Sequence, residues 1–307
     1  MPQCPLCNAD TFNKYATATD VEYFTSTKAF DFFECNSCDI LFIHPMPVNE
    51  LSIIYPPNYY SFTAMNKSIA FRIKDFIDAA FYRKILKQIP GAKLRALDIG
   101  GGTGTLLDSL KKADARIGFT QVVDIDTHAK LAAEKNGHQY FCGTIESFTD
   151  TALYDVVLML NLIEHVANPK EVLNKAASLL SKNGVIIIKT PNYKSLDAAV
   201  FKKTYWGGLH CPRHWVLFTK NSFQKISAEG GLQTNHFAYT QGAPFWSFSI
   251  LHWLHQRKWI TADKEHPIIY HPLFFAISMA AAVFDFIRKP FAPLSQMFFV
   301  LTKKVIN

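Results

Sequence analysis

Three groups of residues in this chain have the types and spacing to do chemistry. Cys4-Pro5-Leu6-Cys7 and Cys35-Asn36-Ser37-Cys38 are two Cys-x-x-Cys knuckles with 27 residues between them. Two thiolates three positions apart can hold one tetrahedral zinc ion from a tight turn, and a second knuckle closes the site. A closed four-thiolate site leaves no position for a reacting ligand, so its role would be structural. The alternatives are four unligated thiols or a redox pair, and a redox pair would not need its duplicate. Of the other two cysteines, Cys142 reads as a buried strand residue and Cys211 stands alone. The second group is Asp98-Ile99-Gly100-Gly101-Gly102-Thr103-Gly104, with Asp124 twenty residues beyond Gly104. Glycines let the backbone turn sharply and pass close to a ligand. A carboxylate at the end of the next strand can accept hydrogen bonds from a ribose diol. Together they indicate a nucleoside-containing cofactor, with a tight βα turn as the alternative. A dinucleotide site spaces its glycines as G-x-G-x-x-G, whereas here they fall as G-x-G-x-G. The third group is Tyr205-Trp206-Gly207-Gly208-Leu209-His210-Cys211-Pro212-Arg213-His214-Trp215. A neutral histidine within reach of a hydroxyl can take its proton, which makes His210 and His214 the candidate bases. Arg213 can hold a carboxylate or phosphate, with Tyr205 and Trp206 beside it as candidate substrate contacts. The plainer alternative is a folding corner in which one histidine bonds backbone.

The elements that must position these groups alternate along the middle of the chain. Leu94–Ile99, Val122–Ile125, Gln139–Cys142, Tyr154–Leu160 and Val185–Thr190 are apolar runs of strand length. Helical stretches separate them, among them Thr127–Asn136 and a segment from Asn168-Pro169 to Ser181, with Asn183-Gly184 as a stop. Strands alternating with helices predict an α/β fold with a doubly wound parallel sheet, whose ligands bind at the carboxyl ends of the strands. Ahead of it, Thr11–Thr19 and Ile40–His44 suit a small β-ribbon around the knuckles. The reading divides the chain into a zinc ribbon at 1–45, a connector with an amphipathic helix at 46–92, and the α/β domain at 93–307. The connector carries Pro45, Pro47, Pro56 and Pro57 with Tyr55, Tyr59, Tyr60 and Phe62, and suits either a lid or packing between domains. The helix is expected over 67–89, from apolar residues at spacings of three and four.

With its strands in order, the central stretch resembles the class I S-adenosylmethionine-dependent methyltransferases. Asp98 to Gly104 is similar to their motif I, and Tyr154-Asp155-Val156-Val157 opens the corresponding fourth strand. Leu160-Asn161-Leu162-Ile163-Glu164-His165-Val166 with Asn168-Pro169 resembles the family's EHV-x-x-P signature. Leu179 to Gly184, followed by Val185–Thr190 and Pro191-Asn192, resembles its LL-x-x-GG … TPN ending, with Asn183 in place of the first glycine. The resemblance covers roughly residues 93–240 and implies a Rossmann-like seven-stranded sheet with S-adenosylmethionine as cofactor. Position by position, it implies that Asp98 lies near the amino group of the cofactor's methionine part and that Gly100, Gly102 and Gly104 approach the cofactor. It implies Asp124 on the ribose, Ile125 and Asp126 beside the adenine, Thr144 and Ile145 near its edge, and Asn161 and Leu162 bordering the methyl group. The family often has Asp where this chain has Thr144 or Ile145. In methyltransferases of this subgroup a related H-x-x-x-H-x-x-x-F-T stretch beyond the fifth strand lies above the methyl donor, so the resemblance implies that place for His210 and His214.

The last third of the chain is unlike the rest. Of 32 basic and 25 acidic residues, residues 201–307 hold 12 and 4, a balance of +8, and all five tryptophans. Gly231–Thr240 and Ser295–Lys304 read as the sixth and seventh strands, with an apolar helical insert at about 243–294. Within it, Pro267–Phe284 has no formal charge over 18 residues, at the short limit for a membrane span. A single span would carry the seventh strand away from its sheet. An interfacial or re-entrant helix pair fits better, with aromatic residues at the headgroups and basic ones on anionic lipid. A buried cap or a homodimer interface is the alternative. Met1 to Cys7 has neither a basic nor an apolar leader region, so the expected place is the cytosol, peripheral to the cytoplasmic face of the membrane. The resulting expectation is O-methylation, with N- or C-methylation open, of a small-molecule or lipid-linked acceptor, such as an envelope glycan precursor or an isoprenoid-type lipid. Two other readings are an RNA methyltransferase and a non-catalytic scaffold. Residues 1–45 hold only Lys14 and Lys28 as basic residues, so nucleic acid is not the expected partner.

Overall fold

The computed structural model describes residues 2–56 and 79–304. Pro57, Tyr59, Tyr60 and Phe62 of the connector lie outside them, as does most of the helix expected at 67–89. Its last part is helical over 79–86 (α2).

Seven strands form the main sheet: β4 (Leu94–Ile99), β5 (Ile117–Asp124), β6 (Gln139–Cys142), β7 (Tyr154–Leu160), β8 (Leu180–Pro191), β10 (Leu232–Thr240) and β11 (Gln296–Lys303). Their order is β10-β11-β8-β7-β4-β5-β6. The five strands from β8 to β6 are parallel, and β11 runs antiparallel to both of its neighbours. Central strands of such a sheet are covered on both faces and need apolar residues without alternation. Val156, Val157, Leu158 and Met159 of β7 meet that demand and are completely buried. The helices α3 (Thr105–Ala113), α4 (Ala129–Lys135), α5 (Pro169–Leu179) and α7 (Lys220–Glu229) connect the strands. Asn168 caps α5 by accepting from the Glu171 amide, and Thr219 forms a capping box with Ser222 on α7. One expectation shifts: Asn183-Gly184 lies inside β8 and does not separate it from α5. A Cβ on Gly184 would meet Leu180, Ser181 and the Asp155 carbonyl within 3.0 Å, so the glycine serves a close strand approach. Cys142, expected to be buried, is exposed on the edge strand β6.

The N-terminal sheet contains β1 (Phe12–Ala18), β2 (Phe30–Cys35) and β3 (Leu41–His44), followed by the one-turn helix α1 (Leu51–Ile54). Its fourth strand is β9 (Val216–Leu217), which pairs with Leu41 and Phe42. The segment carrying the two candidate histidines therefore ends as a strand of the ribbon sheet. One apolar core runs through both, joining Phe30, Phe32 and Phe42 to Trp206, Phe218 and Phe223.

The insert between β10 and β11 holds two packed helices, α8 (Ala243–Gln256) and α9 (Leu273–Arg288). Ser247 and Ser278 hydrogen-bond between them at 2.7 Å, and the Phe248 and Phe274 rings meet at 4.9 Å. The helix α6 (Leu196–Phe201) and the Gly207–Leu209 turn pack under α8, where Ser249 accepts from the Gly207 amide at 2.8 Å. Among the described residues no helix is long and apolar enough to cross a membrane.

Candidate active site

The carboxyl ends of β4, β5 and β7 lie side by side and bring the expected cofactor residues together. Gly100, Gly102 and Gly104 have φ of 72°, 50° and 80°, a left-handed run that favours glycine. A Cβ on Gly102 would point into open space, so that backbone is accessible to a ligand. Asp124 accepts the Gly102 amide at 2.7 Å and the Asp126 amide at 2.9 Å, which fixes the acid against the glycine turn. Asp98 is buried beneath the turn, and its Oδ2 has no hydrogen-bond partner among the described residues. Burial and then the Asp124 charge push its carboxyl well above the usual carboxylate range. An orphaned acid in that place suits a cationic partner such as the ammonium of an amino-acid group. Ile125 and Thr144 are exposed next to the turn, whereas Ile145 turns its side chain into the core. Of the expected adenine neighbours at 144 and 145, only Thr144 offers a side chain. Asn161 sits at φ 55° at the end of β7 and accepts from Gln296 at 3.1 Å, with Leu162 packed close to Gly100.

Directly after β7, the turn Ile163–His165 meets the third group of residues. The Trp215 amide donates to the Glu164 carbonyl at 2.7 Å. The His165, His210 and His214 rings lie 4.6 to 6.1 Å apart. His214 Nδ1 donates to the Gly208 carbonyl at 2.8 Å, so Nε2 is its acceptor nitrogen; it faces Glu164 Oε1 at 3.9 Å. His165 Nδ1 lies 2.9 Å from the Tyr55 hydroxyl and 3.0 Å from the Arg213 carbonyl oxygen. Burial, followed by the His210 charge, lowers His165 to about 3. His214 is held well below its usual range, first by burial and then by the other two histidines. Both stay neutral near neutral pH. Glu164 is fully buried, which raises its carboxyl to about 8, and it accepts from Thr190 at 3.0 Å. His210 differs, because its Nδ1 is 2.5 Å from Glu22 Oε2 and its backbone is left-handed at φ 38°.

A methyltransferase-domain family profile matches residues 70–236, more than half of the chain. The chain belongs to the methyltransferase-domain family. A ubiquinone biosynthesis O-methyltransferase of Bradyrhizobium sp. (strain ORS 278) is 35% identical over 178 residues, covering 51% of this chain and 66% of that protein. A protein of the same name from Bradyrhizobium diazoefficiens is 33% identical over 122 residues, covering 36% and 46%. The chain thus spans about half to two thirds of the length of the curated relatives it matches. Among solved structures, coclaurine N-methyltransferase bound to N-methylheliamine and SAH superposes with a TM-score of 0.53 at 15% identity, covering 84% of this chain and 82% of that one. That likeness shows the fold. The seven-stranded sheet and the glycine turn are those the class I methyltransferase resemblance implies.

Within this methyltransferase-domain protein, the three residues expected to contact substrate are buried and paired inside the fold. Arg213 is fully buried and paired with Asp20 at 2.8 Å. Its Nε donates to the Ile54 carbonyl at 2.6 Å, and its guanidinium lies over the Tyr23 ring. Its charge is neutralised inside the fold, so it ties α1 and the ribbon to the histidine segment. Trp206 is completely buried and donates to Asp197 at 2.7 Å. Tyr205 is buried and donates to Glu22 at 2.8 Å. Asp20 and Glu22 escaped the sequence reading, since two acids in a loop of an N-terminal ribbon look solvated.

The two knuckles come together as expected. Cys4 and Cys38 sulfurs are 3.4 Å apart, Cys7 and Cys35 sulfurs 3.6 Å, and all four lie within 4.8 Å of one another. The knuckles repeat one geometry: Asn8 and Asp39 are left-handed, and their amides donate back to the Cys4 and Cys35 carbonyls. Contact with Cys38 draws Cys4 down to about 5, while the same contact pushes Cys38 up. Four thiolates at these distances repel unless a cation lies among them, and the donor set fits tetrahedral zinc.

Proposed function

We propose that this chain methylates an oxygen of a small or lipid-linked, isoprenoid-type acceptor, with S-adenosylmethionine as donor, while bound to the cytoplasmic face of a membrane. The outer face of α9 carries this reading. Phe275, Phe286, Ile287 and the following Phe291 are each at least 65% exposed. Lys289 and, from the α8–α9 loop, Lys258 and Lys264 are exposed in the same insert. An apolar face with basic residues beside it suits an anionic bilayer surface, and a surface-bound enzyme suits an acceptor held there by its own apolar chain. The names of the relatives, O-methyltransferases of ubiquinone biosynthesis, support oxygen as the methylated atom.

The bound donor supplies an electrophilic methyl group. On this reading Asp98 receives its ammonium, the Gly100–Gly104 backbone lines it, and Asp124 accepts from its ribose. Ile125 and Thr144 flank the base, and Asn161 and Leu162 border the methyl group. His210 takes the acceptor's proton, with His214 neutral beside it. A zinc ion held by Cys4, Cys7, Cys35 and Cys38 keeps the ribbon sheet, and hence β9, in place.

The test offers purified protein an isotopically labelled methyl donor with three acceptors: a polyisoprenyl catechol in anionic vesicles, the same catechol without its tail, and bulk RNA. Label in a methyl ether of the tailed catechol, with kcat/KM higher by about tenfold or more, is the expected result. Equal turnover of both catechols, or label in RNA alone, overturns the reading.

A further inference from the structure

The ribbon and the methyltransferase domain share a side-chain hydrogen bond that lies directly on a candidate base. Glu22 sits in the loop after β1 and is completely buried. Its Oε2 is 2.5 Å from His210 Nδ1, and its Oε1 accepts from the Tyr205 hydroxyl at 2.8 Å. The Tyr205 oxygen in turn accepts from the Cys211 amide at 3.1 Å. A carboxylate on Nδ1 fixes the proton there and makes Nε2 the acceptor nitrogen. The backbone of His210 is held at φ 38°, ψ 44°, a conformation a non-glycine residue keeps only when its surroundings enforce it.

Resting on the O-methylation reading above, we propose that Glu22, a residue of the zinc-ribbon module, positions His210 as the base, so that the ribbon is part of the reaction apparatus. The acceptor's hydroxyl proton passes to His210 Nε2 as its oxygen forms the bond to the methyl carbon. The sulfur–methyl bond of the donor breaks, and that electron pair remains on sulfur. The imidazolium so formed is stabilised by the Glu22 carboxylate on its Nδ1–H. Among the described residues, neither of the other two histidines has a carboxylate on Nδ1: that of His214 is committed to a backbone carbonyl, and that of His165 contacts Tyr55 and a backbone carbonyl. Among the described residues, the titratable and charged groups around His210 include Glu22 from the ribbon, Tyr205, Cys211, Arg213 and His214 from its own segment, and His165 with Glu164 from the turn after β7.

The experiment pairs kinetics of the full-length, zinc-loaded protein with nitrogen-15 NMR of its histidines. In the wild type, His210 shows the Nδ1–H tautomer. Glu22→Gln mixes the tautomers and lowers kcat about 10- to 100-fold, with the donor's KM changed by less than about twofold. It also moves the acidic limb of the kcat profile to lower pH, because the imidazolium loses its counter-charge. Tyr205→Phe, which keeps the Glu22–His210 pair, retains the wild-type limb. A wild-type His210 protonated on Nε2 overturns the proposal, and that result needs no variant to fold. So does a zinc-replete Glu22→Gln protein with wild-type kcat and pH limb. If the wild type methylates no hydroxyl acceptor, the O-methylation reading fails instead, while the tautomer measurement still judges the pair.

Discussion

Glu164 is a neutral acid built into the site, and its effect on stability has a definite sign. Burial lifts its carboxyl to about 8, against 4.5 when unfolded. Between those values the folded chain keeps a proton that the unfolded chain releases. Its contribution is therefore complete below about pH 4.5 and is lost as pH rises toward 8. His165 works in the opposite sense. Lowered to about 3, it favours the fold above pH 6.5 and withdraws that stability as pH falls. Glu164→Gln keeps the shape and removes the titration. Denaturant unfolding at pH 5 and pH 8 is expected to show the wild type losing about 1–3 kcal/mol more than the variant over that interval. Equal slopes would mean that Glu164 is ionised in the fold. Asp124 makes a second residue-scale case, because its oxygens sit on the Gly102 and Asp126 amides where a ribose diol would reach them. Asp124→Ala is expected to weaken S-adenosylhomocysteine about 10- to 100-fold by calorimetry, and an unchanged Kd would remove it from the cofactor site. The clustering of Asp98, Asp124 and the glycines was legible in the sequence because it is set by local backbone within a short βα unit. Glu22 was not, since its partner His210 lies 188 positions away and nothing near it signals burial.

At the scale of elements, the strands of the main sheet could be read from their apolar runs, and the insert from its place between the last two strands. The missing parts were those set by long-range pairing. β2 carries Asp31 and Glu34 among its aromatics, which hides its strand character. β9 has only two residues, and it is a strand because β3 offers it an edge. Arg213 looked like an anion receptor for the same reason: only the fold reveals Asp20 beside it. The shared sheet has a consequence for the metal. β3 follows the second knuckle after two residues, and the Cys35 amide donates to the Ile40 carbonyl at 2.9 Å. Loosening the knuckles thus loosens β3, its partner β9, and the histidine segment that leads into β9. The glycine turn lies on a different sheet. Chelation of the zinc proposed at the knuckles, or Cys35→Ser, is therefore expected to lower turnover more than about tenfold while leaving S-adenosylhomocysteine affinity within about threefold. Equal loss of both would mean that the ribbon supports the whole fold. Loss of neither would make the ribbon an independent appendage.

Across the whole molecule, charge and greasiness separate in a way that no single element explains. The basic excess of residues 201–307 sits in the same third as an apolar helix whose outer side is exposed among the described residues. Only Ala281 and Asp285 of α9 are buried; Asp285 is held by Arg288 at 2.9 Å and receives the Gly242 amide at 3.3 Å. Those contacts fasten the helix from within, so its outer aromatics are not needed for folding. Each large apolar side chain that leaves water is worth about 1.5–3 kcal/mol, so a few of them entering the headgroup region can hold the protein on a bilayer. Replacement of Phe275, Phe286 and Phe291 by Ser together is therefore expected to leave Tm within about 2 °C and zinc content unchanged. Partition onto anionic vesicles should fall about tenfold or more. Binding of the wild type should also weaken as salt rises toward about 1 M, because exposed lysines contribute through a screened field. A wild type that ignores vesicles but sediments as a dimer, with the triple variant monomeric, would assign the same face to a second copy of the chain. The acceptor would then have to come from solution, and the tailed catechol should lose its advantage in the methylation assay.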